Sequence, residues 1–410
     1  MTSKRLTVFW GNERVSHEGI ISGQREATLE RLKDAERVLL IQDTTSFNFH
    51  HHPATKGLGP LENEYTNGFL AHTTLAVSSG GVPVGVVDQQ VWVRSREDKG
   101  KRQQRHERDF IEKESYKWVK GLPDSDWVAQ LPAPVVVCDA EAHIYDLLGI
   151  MLSQGLDFVI RAADSRSFTP EGQSLFKAVS QQAVQHEMAI DLKRRPDREA
   201  RTAALELRFG QINLKRPRLS SSEWESITVY VVDVFEPDPP LGEAAVHWLL
   251  LTSLVVESIQ QAVEVVTFYL YRWLVERFHY TLKSGCQMEE KQLRTADRLQ
   301  RLLAVYSIVA WQLLWLTYQA RQTPDAPCTL ALTTPQWQAL YAFVQRTTLL
   351  PQSPPSLREV VRWIGQLGGF IGRKGDGEPG VKVLWRGWSR LLDITDMWLL
   401  SYPSRLVGNG

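Results

Sequence analysis

Tyr269 to Lys283 reads Y-L-Y-R-W-L-V-E-R-F-H-Y-T-L-K and has the periodicity of an amphipathic helix. Ser258 followed by Gln261 predicts a capping-box start. Gly285, just past the last periodic residue, is where a C-cap glycine belongs. At about 100° per residue, Tyr269, Arg272, Glu276 and Lys283 fall within an arc of roughly 60°. Leu274, Val275, Phe278 and Leu282 take the other side and are expected to pack on a core. One face therefore carries a carboxylate with two cations and a phenol around it. A carboxylate can ligate Mg²⁺, and Arg, Lys and Tyr are suited to surround phosphates. A solvated helix with internal ion pairs has the same stripe, and spacing alone does not separate the two.

Two apolar runs, Val38 to Asp43 (V-L-L-I-Q-D) and Pro134 to Asp139 (P-V-V-V-C-D), each end in an acid. They read as central strands buried on both sides. Between them, Phe69 to Val77 and Val82 to Val93 are strands joined by Ser78-Ser79-Gly80-Gly81, a hairpin signal. Glu141 to Ser153 reads as a helix and Leu156 to Arg161 as a strand. Three antiparallel strands, a helix, an acid-tipped strand, a helix and a strand make the ribonuclease-H-like layout. The first and fourth strands are neighbours there, so Asp43 and Asp139 are expected to approach. A lone strand-end Asp is more often a cap or turn residue; two at these places, with Glu276 on a later helix, point to a site.

The spacing Tyr, two residues, Arg, three residues, Glu, six residues, Lys resembles the Y-R-E-K signature of the IS-four family of bacterial insertion-sequence DDE transposases. The nearest relatives resemble the transposase of transposon Tn-five. The likeness also runs through Asn12 to Leu32, Trp92-Val93-Arg94, Glu112 to Ser115, and Leu357 to Trp398. It implies that Asp43, Asp139 and Glu276 are catalytic and hold one or two Mg²⁺ (or Mn²⁺) ions. It implies that Tyr269, Arg272 and Lys283 grip a phosphate of the non-transferred strand, that Arg161 approaches the DNA end, and that Trp248 stacks on a flipped base. Cut-and-paste transposition would then proceed by nicking, hairpin formation and opening, and strand transfer. The implied partners are double-stranded DNA, as transposon ends and target, and a second copy of the chain in a synaptic homodimer. Two departures touch DNA contacts: the family's D-R-E-A-D is here Asp139-Ala140-Glu141-Ala142-His143, and Tyr280 stands where the nearest relatives carry Lys.

The expected organisation is α/β. Residues 1–37 would be a remnant of an N-terminal DNA-binding module, with a helix from Ser22 to Arg37. Residues 38–161 and 253–325 would form the two parts of the ribonuclease-H-like core. Residues 162–252 would be an inserted β-subdomain with strands Leu205 to Lys215, Ile227 to Phe235 and Trp248 to Thr252. Residues 326–410 would be a helical dimerisation domain. The 47 Lys and Arg balance the 47 Asp and Glu, which argues against a protein that merely coats nucleic acid but not against a local basic groove. One such element is the charged stretch Arg94 to Glu114, a candidate phosphate-tracking arm or a solvated loop. Three cysteines without metal-ligand spacing suit a reducing compartment, the bacterial cytoplasm. Leu302 to Tyr318, interrupted by Ser307, Gln312 and Thr317, reads as a buried helix and not a membrane span. His50-His51-His52 reads as a loop rim, and the glycines between Gly368 and Gly380 lack a nucleotide-binding frame. Two rival readings share parts of the pattern. One is a non-catalytic regulator that dimerises with a longer transposase; the other is a metal-dependent nuclease without strand transfer.

Overall fold

The computed structural model describes residues 9–62, 65–96, 109–163, 167–192, 199–218, 220 and 222–401. Among them, the strands are β1 (Val38–Asn48), β2 (Gly59–Pro60), β3 (Asn67–Ser78), β4 (Pro83–Trp92), β5 (Pro134–Cys138), β6 (Asp157–Arg161), β7 (His186–Leu192), β8 (Arg201–Lys215), β9 (Ser226–Phe235) and β10 (His247–Thr252). They form one sheet in the order β2-β3-β1-β5-β6-β10-β9-β8-β7, with β4 also on β3. β1, β5 and β6 run parallel; β3 is antiparallel to β1 and β10 to β6. The strands between residues 162 and 252 thus continue the same sheet outward, because Leu250–Thr252 pair directly with Val159–Arg161. β7 was not expected from the sequence. Its polar residues His186, Glu187 and Asp191 read as loop, but as an edge strand it needs only alternate positions buried.

Val38, Leu39, Leu40 and Ile41 are completely buried, as a strand covered on both faces requires. β1 does not stop at Asp43. Its parallel pairing with β5 ends at Ile41, but its antiparallel ladder with β3 continues to Asn48. One supported edge is enough to keep the chain extended, so the acid lies inside the strand and not at its tip.

Alternation along the strands separates two cores. Leu39, Ile41, Val135, Val137, Val159 and Leu250 face one. Val38, Leu40, Val136, Cys138, Phe158, Ile160, Leu249 and Leu251 face the other, with Trp118 and Trp127. The main helices are α1 (His17–Arg31), α2 (Tyr145–Ser153), α3 (Ile259–Tyr271), α4 (Trp273–Tyr280), α5 (Ala296–Gln322), α6 (Thr334–Gln345), α7 (Leu357–Leu367) and α8 (Val381–Ser401). α2 covers the second face; α3, α4 and α5 cover the first. This is an α/β fold, a large mixed sheet between helices followed by a helical C-terminal region.

α5 is long and apolar enough to cross a membrane, yet 56% of its most apolar window is buried inside the protein. Its Trp311 indole donates to the Pro83 carbonyl at 3.1 Å and Ser307 bonds Gln89 at 3.1 Å, so it is a core helix. α1 packs beside it, with the Arg31 guanidinium 4.2 Å over the Trp311 ring. α1 starts earlier than Ser22 because the Ser16 hydroxyl accepts the Gly19 N–H at 2.9 Å, and it ends at Arg31, short of Arg37. A third core, including Leu313, Leu316, Leu340, Val360, Ile364 and Leu384, joins α5 to α6, α7 and α8.

Candidate active site

The register of β1 on β5 places the two acids. Ile41 lies opposite Val137, and Asp43 and Asp139 each stand two residues further on. Two residues is one full pleat, so both carboxylates point to the same face as Ile41 and Val137, the face covered by α3 and α4. Arg161 shares that face with Val159, and Trp248 shares it with Leu250, by the same count. Four candidate residues from four strands are therefore aimed at the helix that carries the other four.

That helix begins as expected, with the Ser258–Gln261 capping box. Leu274, Val275, Phe278 and Leu282 are buried. It is not continuous, however. The Arg272 N–H bonds the Tyr269 carbonyl, a tight i→i−3 turn, at 3.0 Å. Thr281–Gly285 is a wide π turn closed by the Cys286 N–H on the Thr281 carbonyl at 2.8 Å. The left-handed residue at the end is Gln287, with φ 54°, and not Gly285. Irregular turns of this kind are frequent at functional sites. Here the π turn directs Lys283 over the Phe47 ring of β1, Nζ 5.6 Å from its centroid.

Arg272 stands at the centre. It donates to Glu276 in a very short ion pair one turn along the helix, lies 6.0 Å from the Tyr269 ring, and its charge reaches Asp43 and Asp139. Trp248 packs edge-on against Tyr269 with centroids 5.6 Å apart. Arg161 bonds the His247 carbonyl at 3.1 Å and reaches the Tyr269 side chain. The result is an aromatic and cationic wall beside two half-buried acids.

The acids differ electrically. Burial pushes the Asp43 carboxyl up, but His279 and then Arg272 outweigh it and leave it below the ordinary range. Burial pushes Asp139 up as well; the Glu141 backbone N–H opposes this, the Asp43 charge adds to it, and the net shift is upward. Environments that drive paired acids apart are typical of sites that do chemistry. The sign for stability follows. Asp139 holds its proton more tightly folded than unfolded, so its stabilising contribution is present below the ordinary carboxylate value and is lost as pH rises through the raised one. Asp139→Asn keeps the oxygen that accepts the Glu141 N–H, at 2.9 Å, and removes the charge. In chelator at pH 7.5 it is expected to raise Tm by about 1–2 °C. The gain should fade toward pH 4, and differential scanning fluorimetry across pH checks it.

The donor set is hard oxygen, which suits Mg²⁺ or Mn²⁺ and not zinc. Among the described residues no three His, Cys, Asp or Glu side chains converge closely enough to hold an ion, and Glu276 is paired with Arg272. The carboxylates of Asp43, Asp139 and Glu276 fit a divalent ion by the chemistry of their donors.

Two residues near the site were missed in the sequence. His279, one turn after Glu276, places Nδ1 3.5 Å from the Asp43 carboxylate. His143, the departure from D-R-E-A-D, is buried; its Nδ1 accepts the Ala163 N–H at 2.9 Å and its Nε2 lies 2.8 Å from the Ser167 hydroxyl. It ties the turn after Asp139 to the segment leaving β6. The middle of the Arg94 to Glu114 stretch, residues 97–108, lies outside the described residues. Its ends pair with each other, Arg94 to Glu114 at 2.6 Å, beside a cavity of about 690 Å³ that Thr44, Ser46 and Lys117 also line.

The sequence matches the family described as Transposase DDE domain over residues 34–312, more than half of the chain. The chain belongs to the DDE transposases. A second match, Transposase Tn5 dimerisation domain, covers residues 308–396. Together they make it a Tn5-like transposase of the IS-four family, a DNA-cleaving and strand-transferring enzyme. Members of the family generally use divalent metal ions, its substrates are DNA, and the second match points to dimers.

Proposed function

We propose that this transposase moves an insertion sequence by cut-and-paste chemistry at Asp43, Asp139 and Glu276. The observation that carries the reading is the shared register and face of Asp43 and Asp139 under the helix bearing Glu276. These three would hold Mg²⁺ or Mn²⁺, which when bound supplies Lewis-acid activation of a water or 3′-hydroxyl and charge neutralisation at the scissile phosphate. Phosphoryl transfer asks a protein mainly for positioning and electrostatic stabilisation.

The remaining residues supply the positioning. Arg272 and Lys283 give two cations at different depths along one DNA strand, and the buried Tyr269 hydroxyl adds a neutral donor, since burial pushes the phenol pKa up. Arg161 continues this row at the end of β6. Trp248 is half-buried, leaving indole surface on which an unstacked base can rest. A strand held this way is suited to hairpin formation, in which the freed 3′-hydroxyl attacks the opposite strand and the 3′-end is later freed for transfer. Residues 38–161 and 253–325 form the catalytic unit in this reading, 162–252 the β insertion, and 326–410 the dimerising unit of a synaptic pair acting on transposon ends and target in the bacterial cytoplasm.

The test is cleavage. Protein is incubated with duplex carrying the element's own terminal repeats, with Mg²⁺ or with chelator, and products are separated on a denaturing gel. Nicking at the element boundary with a hairpin product, seen with Mg²⁺ and abolished by chelator, is expected. Nicks without hairpins would reduce the reading to a nuclease; no products in either condition would favour the regulator.

A further inference from the structure

We infer that His279 is a positioning residue for Asp43, fixing the carboxylate of β1 from the helix that carries Glu276. This rests on the assignment of Asp43 as a metal ligand. His279 is 6% exposed and its Nδ1 lies 3.5 Å from Asp43 Oδ2. Its Nε2 is buried and, among the described residues, has no hydrogen-bond partner. Each of these facts is informative. A buried imidazole with one nitrogen unsatisfied is destabilising relative to a well-packed apolar side chain. A leucine at this place in α4 would fill the same core without that cost. Among the described residues the ring's one polar contact is with the acid, at the long edge of hydrogen-bond reach, where catalytic contacts of unliganded enzymes are often found.

The geometry says what the contact does. Asp43 stands where the parallel ladder with β5 has ended, and its ladder partner is Thr73 on the antiparallel side. Its carboxylate accepts a backbone N–H from Thr44, the next residue of the same strand, and His279 adds a restraint from the covering helix. His279 restrains Oδ2 from the helix side. It also fixes the distance between β1 and α4, and hence between Asp43 and Glu276, which come from elements far apart in sequence. Residues that orient metal-binding side chains typically contribute about 10–100-fold in metal affinity or activity.

The experiment measures Mn²⁺ binding to the DNA-free 410-residue chain by electron paramagnetic resonance titration, with Mn²⁺ alone as the probe. His279→Leu is expected to weaken Mn²⁺ binding about 10-fold or more, and to raise the Mg²⁺ concentration giving half-maximal end cleavage by a similar factor. His279→Asn puts an amide N–H near the place of Nδ1 and is expected to stay within about 3-fold of the parent. Circular dichroism reports folding. Parent-like Mn²⁺ affinity in the Leu variant overturns the inference, and so does an Asn variant that falls as far as Leu. Should the Leu variant not fold, the Asn variant decides: retained affinity supports the positioning role and lost affinity overturns it. Asp43→Asn separates the two levels. If it cleaves normally, the metal-ligand assignment fails; if it is inactive while His279→Leu is silent, only the inference about His279 fails.

Discussion

Glu276→Ala is expected to lower end cleavage on the order of 10³-fold or more while leaving folding and DNA binding nearly unchanged. The loss is large because removal of one electrostatic stabiliser in a preorganised site already costs about 10²–10³-fold, and here the proposed metal ligand goes as well. The structural cost is small. The Glu276 side chain is 41% exposed and its partner is Arg272, four residues back on the same helix. Such helical pairs contribute only about 0.3–0.5 kcal/mol. Removing the carboxylate also frees Arg272 for phosphate, so affinity for an end duplex should hold or rise slightly. Gel-shift, thermal unfolding and cleavage on one preparation give the three readouts. Cleavage within 10-fold of the parent would sink the assignment of Glu276. Lost binding together with lost cleavage would mean that the ion pair, and not the ligand, is what matters.

The fold was legible because its central strands are uniformly apolar. V-L-L-I and P-V-V-V leave no polar face, which only a sheet covered on both sides permits, and both proved completely or almost completely buried. The hairpin glycines and the Ser258–Gln261 box were equally direct, since each has one mechanism. The extension of β1 past Asp43 was not legible. Thr44, Thr45 and Ser46 are polar, and what keeps them extended is β3, 28 residues away for the Thr44–His72 pair. Pairing partners at that distance leave no trace in local pattern. The joining of residues 162–252 to the same sheet was hidden for the same reason: it depends on a contact between β10 and β6 that no single segment encodes.

The candidate site was legible in type more than in shape. The 60° stripe from Tyr269 to Lys283 assumed a regular helix. The tight turn at Arg272 and the π turn at Thr281–Gly285 make it three pieces. Those turns bring Lys283 back over Phe47 instead of leaving it in line with Glu276. His279 falls only about 20° outside the stripe at 100° per residue, so its spacing from Glu276 was the available signal; what it touches is on another element and could not be read. His143 stands where an acid was expected, and the sequence gives no hint that an imidazole would bond both Ala163 and Ser167.

Gly387→Ala is expected to destabilise the C-terminal helical unit by about 3 kcal/mol, although in an exposed helix the same change stabilises by about 1 kcal/mol. The sign is decided by backbone. A Cβ at Gly387 would lie 1.7 Å from the Ile364 carbonyl oxygen, and one at Gly368 would lie 1.8 Å from the Val383 carbonyl oxygen. α7 and α8 therefore cross with their main chains in contact, and no side-chain rotation can relieve either clash. The helices must separate, which loosens the packing of Leu384 and Leu391 in the core they share with Val360 and Ile364. α7 and most of α8 lie within the matched dimerisation region, so self-association should weaken along with stability, and the large sheet should not. Gly380→Ala is the control. Its Cβ would meet nothing within 4 Å, and it should change stability by no more than about 0.5 kcal/mol. Thermal unfolding paired with sedimentation velocity reads both effects. If Gly387→Ala unfolds at the parent temperature or higher, helix propensity has won, and α7 and α8 do not approach as closely as their glycines allow.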